Sequence, residues 1–170
     1  STVAALTCTA GQAAIFDGTN WGCKTAAVEP SIKAAHNFTL KSTGDVGWYP
    51  SIAIGYNGRP LIALQNSTSS TTLMLYSCLS LDCSSGTSVN PGATGGWHPS
   101  IVINEGNAVI AHYDNTNGDL MLYTCELPYC SSSGGPNIAL ATTNDIGQQP
   151  SIAVGDNGNP IIAHYDNKNG

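Results

Sequence analysis

The chain has 170 residues, of which 41% are hydrophobic and only 9% charged. Its net charge of −6 includes just five cationic residues, too few for the repeated phosphate contacts of a nucleic-acid binder or for an anionic membrane surface. The hydrophobic content is too high for a disordered chain, and no apolar run nears the ~20 residues of a membrane-spanning helix.

In chain order, Ser1-Thr2-Val3 offers neither a basic start nor an apolar block, as expected of a mature or trimmed chain. Thr2, Val3, Ala4, Ala5, Leu6 and Thr7 then read as a strand running into Cys8. Cys8 and Cys23 flank a hairpin-like segment, and residues 1–28 form a small N-terminal strand-and-hairpin region. Residues 29–170 form the main domain. Cys78 pairs by spacing with Cys83, and Cys125 with Cys130, both as C-x4-C. Six cysteines in three local pairs point to disulfides and an oxidising, extracellular setting. Zinc is the rival, but it favours C-x-x-C knuckles in clusters, and no second knuckle adjoins either pair.

The main domain repeats itself. Trp48-Tyr49-Pro50-Ser51-Ile52-Ala53-Ile54-Gly55 recurs at Trp97–Asn104 and again at Gln148–Gly155, with the prolines 49 and 51 residues apart. Leu61-Ile62-Ala63-Leu64 matches Val109-Ile110-Ala111-His112 and Ile161-Ile162-Ala163-His164. Leu73–Cys78 matches Leu120–Cys125. Asn57-Gly58 and Asn157-Gly158 predict tight primed hairpin turns, and Asn117-Gly118 marks a further reversal. A further strand precedes each proline, at Phe38–Leu40 and Ile138–Leu140. Gly and Pro interrupt every helical period. The expected fold is all-β: tandem four-stranded antiparallel blade-like repeats of about 50 residues, propeller-like or in a stacked β-array. About three repeats are present and the third is incomplete, since the counterpart of Leu120–Cys125 does not follow Tyr165.

The N-terminal strand matches the pattern of that missing strand, with Thr directly before its cysteine. It could close the last sheet of its own chain or be donated to another copy. The donor is then Thr2–Thr7, and the acceptor is built on Ile152, Val154, Ile162, His164 and Tyr165. Repeated donation gives a head-to-tail homopolymer. The alternative is a chain cut at Gly170.

The unit P-S-I-A-x-G-x-N-G-x-P-x-I-A-H-Y-D-x-x-N-G-D-L-x-L-Y-x-C resembles a repeat of secreted bacterial proteins with propeller-like β-sheets. Cys8–Cys23, as C-x-x-G-Q-x-A-x-x-x-G-x-x-W-x-C, is similar to a module of bacterial surface and phage tail-fibre-like proteins. Together these segments cover about four fifths of the chain. The resemblance implies an extracellular, β-rich, fibrous or adhesive setting and no particular reaction. Unit one departs from it at Leu64-Gln65-Asn66, where the others carry His-Tyr-Asp.

No H-E-x-x-H, G-x-S-x-G or P-loop occurs, so neither an enzyme nor a cofactor is expected. Asp45 and Asp145 resemble the Asp-box turn of sialidase-type propellers. Proline replaces the expected aromatic, however, and Arg59 is the sole arginine, so both aspartates are expected to organise turns. His112 and His164 could converge on a metal, but a locally bonded strand residue is the simpler reading. Asp114–Asp119 is out of phase with an EF-hand calcium loop and reads as a turn. Trp48 and Trp97 would stack on sugars if exposed, the basis of an alternative lectin-like reading. Buried, they would pack between sheets, and Tyr49 and His98 would point to the opposite face. Asn37 and Asn66 head N-x-S/T sequons and are candidate glycosylation sites.

Overall fold

A computed structural model describes residues 9, 12–16, 21–25, 37–68, 70–127, 130, 135–143 and 145–169. The described residues form strands, turns and bends, with antiparallel pairing in every sheet. The chain divides into two compact units, Ser1–Asn37 and Phe38–Gly170. The expected boundary at residue 28 lies outside the described residues.

In the first unit, β1 (Gln12–Phe16) pairs with β2 (Trp21–Thr25), with Phe16 opposite Trp21 and Ala14 opposite Cys23. This is the hairpin expected between Cys8 and Cys23. Cys23 is disulfide-bonded, while Cys8 lies outside the described residues.

Among the described residues the second unit holds three sheets. In the first, β3 (Val46–Ile54), β4 (Pro60–Asn66), β5 (Thr72–Cys78) and β6 (Gly86–Val89) lie in sequence order. The middle sheet is β7 (Trp97–Asn104), β8 (Asn107–Asp114), β9 (Asp119–Glu126) and β10 (Asn137–Ala141), also in sequence order. The last pairs β11 (Ile146–Val154) with β12 (Pro160–Asp166). The pairings β3–β4 and β11–β12 share one register position for position, from Val46↔Asn66 and Ile146↔Asp166 to Ile54↔Pro60 and Val154↔Pro160.

Each first strand slips register just before its serine. The slip falls on Pro50, Pro99 and Pro150, which have no N–H for the ladder and therefore belong at a bulge. Tyr49, His98 and Gln149 precede them at φ of 50°, 49° and 47°. The bulge breaks the strict alternation expected of Trp48 and Tyr49, whose ring centroids lie only 6.2 Å apart.

Three local expectations are corrected. Phe38–Leu40 is not a strand. Ile138–Leu140 is in β10, but it pairs with β9 and so completes the preceding sheet instead of opening the next. Asn57-Gly58 and Asn157-Gly158 are not primed two-residue turns. Gly58 and Gly158 alone take positive φ, their amides donate to Gly55 and Gly155 carbonyls, and Asn57 and Asn157 accept from the amides two residues on. The loop is thus a four-residue turn in which asparagine's side chain, not its backbone, bends the chain. The primed turn occurs instead at Glu105-Gly106, where both residues have positive φ.

The core lies between sheets. Leu61 and Ala63 of β4 and Leu73 and Leu75 of β5 cluster with Ile101, Ala108, Ile110 and Tyr123 of the middle sheet. A smaller cluster joins Val109 and Ala111 of β8 to Ile152 of β11. Each fully buried aliphatic side chain contributes about 1.5–3 kcal/mol. Cys78–Cys83 and Cys125–Cys130 are disulfides with Cα–Cα distances of 4.9 and 5.1 Å, as the spacing predicted. Such bonds are typical of extracellular chains. Among the described residues no helix is long and apolar enough to cross a membrane.

Candidate functional site: the junctions between sheets and the last open edge

One hydrogen bond repeats at both junctions. The Ile101 amide donates to the Ser51 hydroxyl at 3.2 Å, and the Ile152 amide to the Ser100 hydroxyl at 3.1 Å. The isoleucines of the second and third P-S-I segments, Ile101 and Ile152, therefore lean back on the sheet before them. Their side chains join β4 residues Leu61 and Ala63 at the first junction, and β8 residues Val109 and Ala111 at the second. The second junction is further tied by the Asn104 side-chain amide donating to the Gly158 carbonyl at 2.8 Å.

A tyrosine–aspartate contact completes it. The Tyr113 hydroxyl on β8 donates to Asp145, just before β11. Asp145 also accepts from Asn167 Nδ2 at 2.7 Å and Gln148 Nε2 at 3.2 Å. These donors, Tyr113 first, hold its carboxyl below the ordinary carboxylate value. Asp45, the equivalent in the first sheet, accepts the Trp48 indole N–H at 2.7 Å, while its amide donates to Thr68 Oγ1. Both carboxylates thus accept side-chain donors, rather than the backbone N–H groups expected of turn aspartates.

The two ends of the stack differ from its middle. Ile52 is 59% exposed, whereas its counterparts Ile101 and Ile152 are 6% and 8% exposed. At the other end Ile161 is 61% and Tyr165 45% exposed, whereas their counterparts Val109 and Tyr113 are each 5% exposed. Strand β4 is paired on both sides, and so is β8. Among the described residues, β12 is paired with β11 alone.

Among the expected acceptor residues, Val154, His164 and Tyr165 are exposed and Ile162 is half-buried. Ile152 is buried against the middle sheet. The expected donor, Thr2–Thr7, lies outside the described residues. Asn37 is exposed. Asn66 is half-buried at the end of β4, and its side-chain oxygen accepts from the Thr68 amide.

Trp48 is half exposed, Trp97 is half-buried, and the Tyr49 and His98 rings meet at a tilt of 56° with centroids 4.0 Å apart. His112 is fully buried. Its Nδ1 accepts the Gly96 amide, so the proton sits on Nε2, which donates to Asn137 Oδ1 at 3.0 Å. Burial pushes its pKa down. The equivalent His164 is exposed, so the two rings do not share an environment. Buried Asp114 accepts from the Thr116 amide and Asn117 Nδ2, which is turn chemistry. Among the described residues no group of three His, Cys, Asp or Glu side chains could hold a metal ion. A cleft of about 220 Å³ lined by Tyr56, Arg59, Pro60, Leu79 and Leu127 is smaller than a typical small-molecule pocket.

The sequence marked β12 as a repeat of β4 and β8, and among the described residues it pairs with β11 alone. The sequence did not reveal the Ser–Ile and Tyr–Asp bonds between sheets, whose one signal was that these residues recur together. No protein-family model, no curated protein and no solved structure matches this chain.

Proposed function

We propose that this chain is a non-enzymatic, extracellular structural subunit that assembles head to tail into a fibre or surface appendage. The Thr2–Thr7 strand of one copy pairs with the free edge of β12 in the next. The observation that carries this reading is the one-sided pairing of β12 among the described residues, beside the two-sided pairing of β4 and β8. An exposed edge of this kind presents a row of unpaired backbone groups that another strand can satisfy. The three sheets are read as successive blade-like repeats, a reading supported by their shared P-S-I strands and matching registers. The local disulfides support secretion, and glycans on Asn37 and Asn66 would add solubility that so few charges do not supply. Deleting residues 1–7 tests the reading. Negative-stain images should show filaments for the intact chain and dispersed particles for the deletion. Unchanged filaments would overturn strand donation.

A second reading rests on Trp48, half exposed with its indole N–H held by Asp45, as a carbohydrate-stacking platform. Glycan-array binding that is lost in Trp48→Ala, with the fold intact, would favour it over the fibre.

A further inference from the structure

The two ends of the three-sheet stack carry the two halves of the junction already made twice inside it. At the leading end, Ile52 stands where Ile101 and Ile152 stand, yet it is 59% exposed. At the trailing end, Ser151 stands where Ser51 and Ser100 stand as acceptors, and it is exposed. Beside it, exposed Ile161 and Ala163 occupy the places of Leu61 and Ala63, and of Val109 and Ala111, which receive the isoleucine at each internal junction.

We propose that the leading face of one copy docks on the trailing face of a second copy, reproducing the internal junction between molecules. Ile52 packs on Ile161 and Ala163, and the Ile52 amide donates to the Ser151 hydroxyl. The Tyr165 hydroxyl donates to Asp45, as Tyr113 donates to Asp145 within the chain. Asp45 is equipped for this. The Trp48 indole occupies its Oδ1, which leaves Oδ2 for the incoming hydroxyl. The occupant is a second copy because the two faces repeat, residue by residue, the two sides of the junction made twice within the chain. Such a heterologous contact propagates into a filament unless rotation closes it into a ring. The inference rests on the head-to-tail reading above and adds a face contact distinct from the donated strand.

The test uses the full chain and two exposed substitutions, Ile52→Lys and Ile161→Lys, with circular dichroism and melting to show that the fold is kept. In sedimentation velocity each variant should associate at least tenfold more weakly than the parent. An equimolar mixture should recover one intact junction per pair and give added dimer. In the parent assembly the backbone amide of residue 52 should exchange slowly with solvent, and in Ile52→Lys it should exchange quickly. Association unchanged by both lysines overturns the inference. So does a parent chain that stays monomeric, which assigns these faces to some other partner. If deletion of residues 1–7 disperses the assemblies and the lysines do not, strand donation stands and the face contact falls. The reverse result leaves the face contact standing and removes strand donation.

Discussion

The Tyr113 hydroxyl, on the central strand of the middle sheet, donates to the Asp145 carboxylate at the entrance to the last. One bond thereby joins two sheets that are also tied by the Ile152–Ser100 and Asn104–Gly158 hydrogen bonds and by a small apolar cluster of Val109, Ala111 and Ile152. Removing the hydroxyl leaves Asp145 free to turn to water, so the loss is that of one charge-assisted bond. Tyr113→Phe should lower unfolding stability by about 1–2 kcal/mol, read as a lower denaturant midpoint at unchanged slope. An unchanged midpoint would show that the bond contributes nothing net.

Gly147, two residues on, should be far less forgiving. Its φ is +101°, and a Cβ there would overlap the Leu120 backbone and side chain. Gly147→Ala combines a strained backbone with a collision against β9, so about 3 kcal/mol or more should be lost. Gly92 makes the contrast, since a Cβ there meets nothing within 4 Å. Gly92→Ala, at φ +73°, carries the backbone strain alone and should cost about 1 kcal/mol. Equal losses at the two sites would refute the collision.

The serines of the P-S-I segments separate internal from external roles. Ser51→Ala and Ser100→Ala each remove the acceptor of a bond between sheets and should each cost about 1 kcal/mol. Ser100 directly precedes Ile101, whose amide Ser51 holds, so the two sites are neighbours and the double variant should depart from additivity. Ser151→Ala should leave the stability of an isolated copy unchanged. Thermal melts at a dilution that keeps the chain monomeric check all three. A loss at Ser151 comparable to Ser100 would mean that the trailing face is already satisfied within one molecule.

What could be read from the sequence was whatever depends on local pattern. Ile52 to Ile54, Val109 to Ala111 and Leu73 to Cys78 are short apolar, β-rich runs bounded by turn residues, and each is a strand. Strand β6, Gly86-Thr87-Ser88-Val89, is polar and half exposed, so nothing marked it before its pairing with β5 was known. Asn57-Gly58 fits a primed turn as well as the loop actually formed, because the dipeptide alone does not set loop length. The likeness of β11 and β12 to the first two strands of the other sheets was legible because repetition supplies its own standard of comparison. The bonds from Ser51 to Ile101 and from Tyr113 to Asp145 were not, because partners 50 and 32 residues apart meet only once the sheets have stacked.

The Cys78–Cys83 disulfide closes a short loop in which Asp82 accepts from Ser84, backbone and hydroxyl, holding the Asp82 carboxyl down to about 2. Constraining so short a loop contributes about 2 kcal/mol in the chain-entropy model. Cys78→Ser/Cys83→Ser should therefore lower the melting temperature while the sheet spectrum survives. Cys78 is 2% exposed, so the introduced hydroxyl adds a desolvation cost, and Cys78→Ala/Cys83→Ala should be the milder variant. Identical melts for the parent and both doubles would show that the bond adds no stability.

His112 gives the fold a pH dependence with a fixed sign. Burial depresses its pKa below the ordinary value near 6.5, so the unfolded chain takes up the proton first. Its stabilising contribution is complete above about pH 6.5 and is lost as pH falls from there toward the depressed folded value. Half-buried His98, whose pKa is also lowered by desolvation, acts in the same direction. Asp145 adds a separate loss at more acidic pH, below the ordinary carboxylate value, because its folded pKa is depressed as well. Stability measured by denaturant titration should therefore fall in two stages on acidification from about pH 7, and fall again above about pH 10, where burial and Asp145 hold the Tyr113 hydroxyl protonated in the fold. His112→Gln should flatten the upper stage. The substitution also removes the contact to the Gly96 amide, so its overall stability should be lower at every pH. A His112→Gln variant that keeps the full upper slope would show that the buried imidazole is not its source, and would transfer the effect to His98.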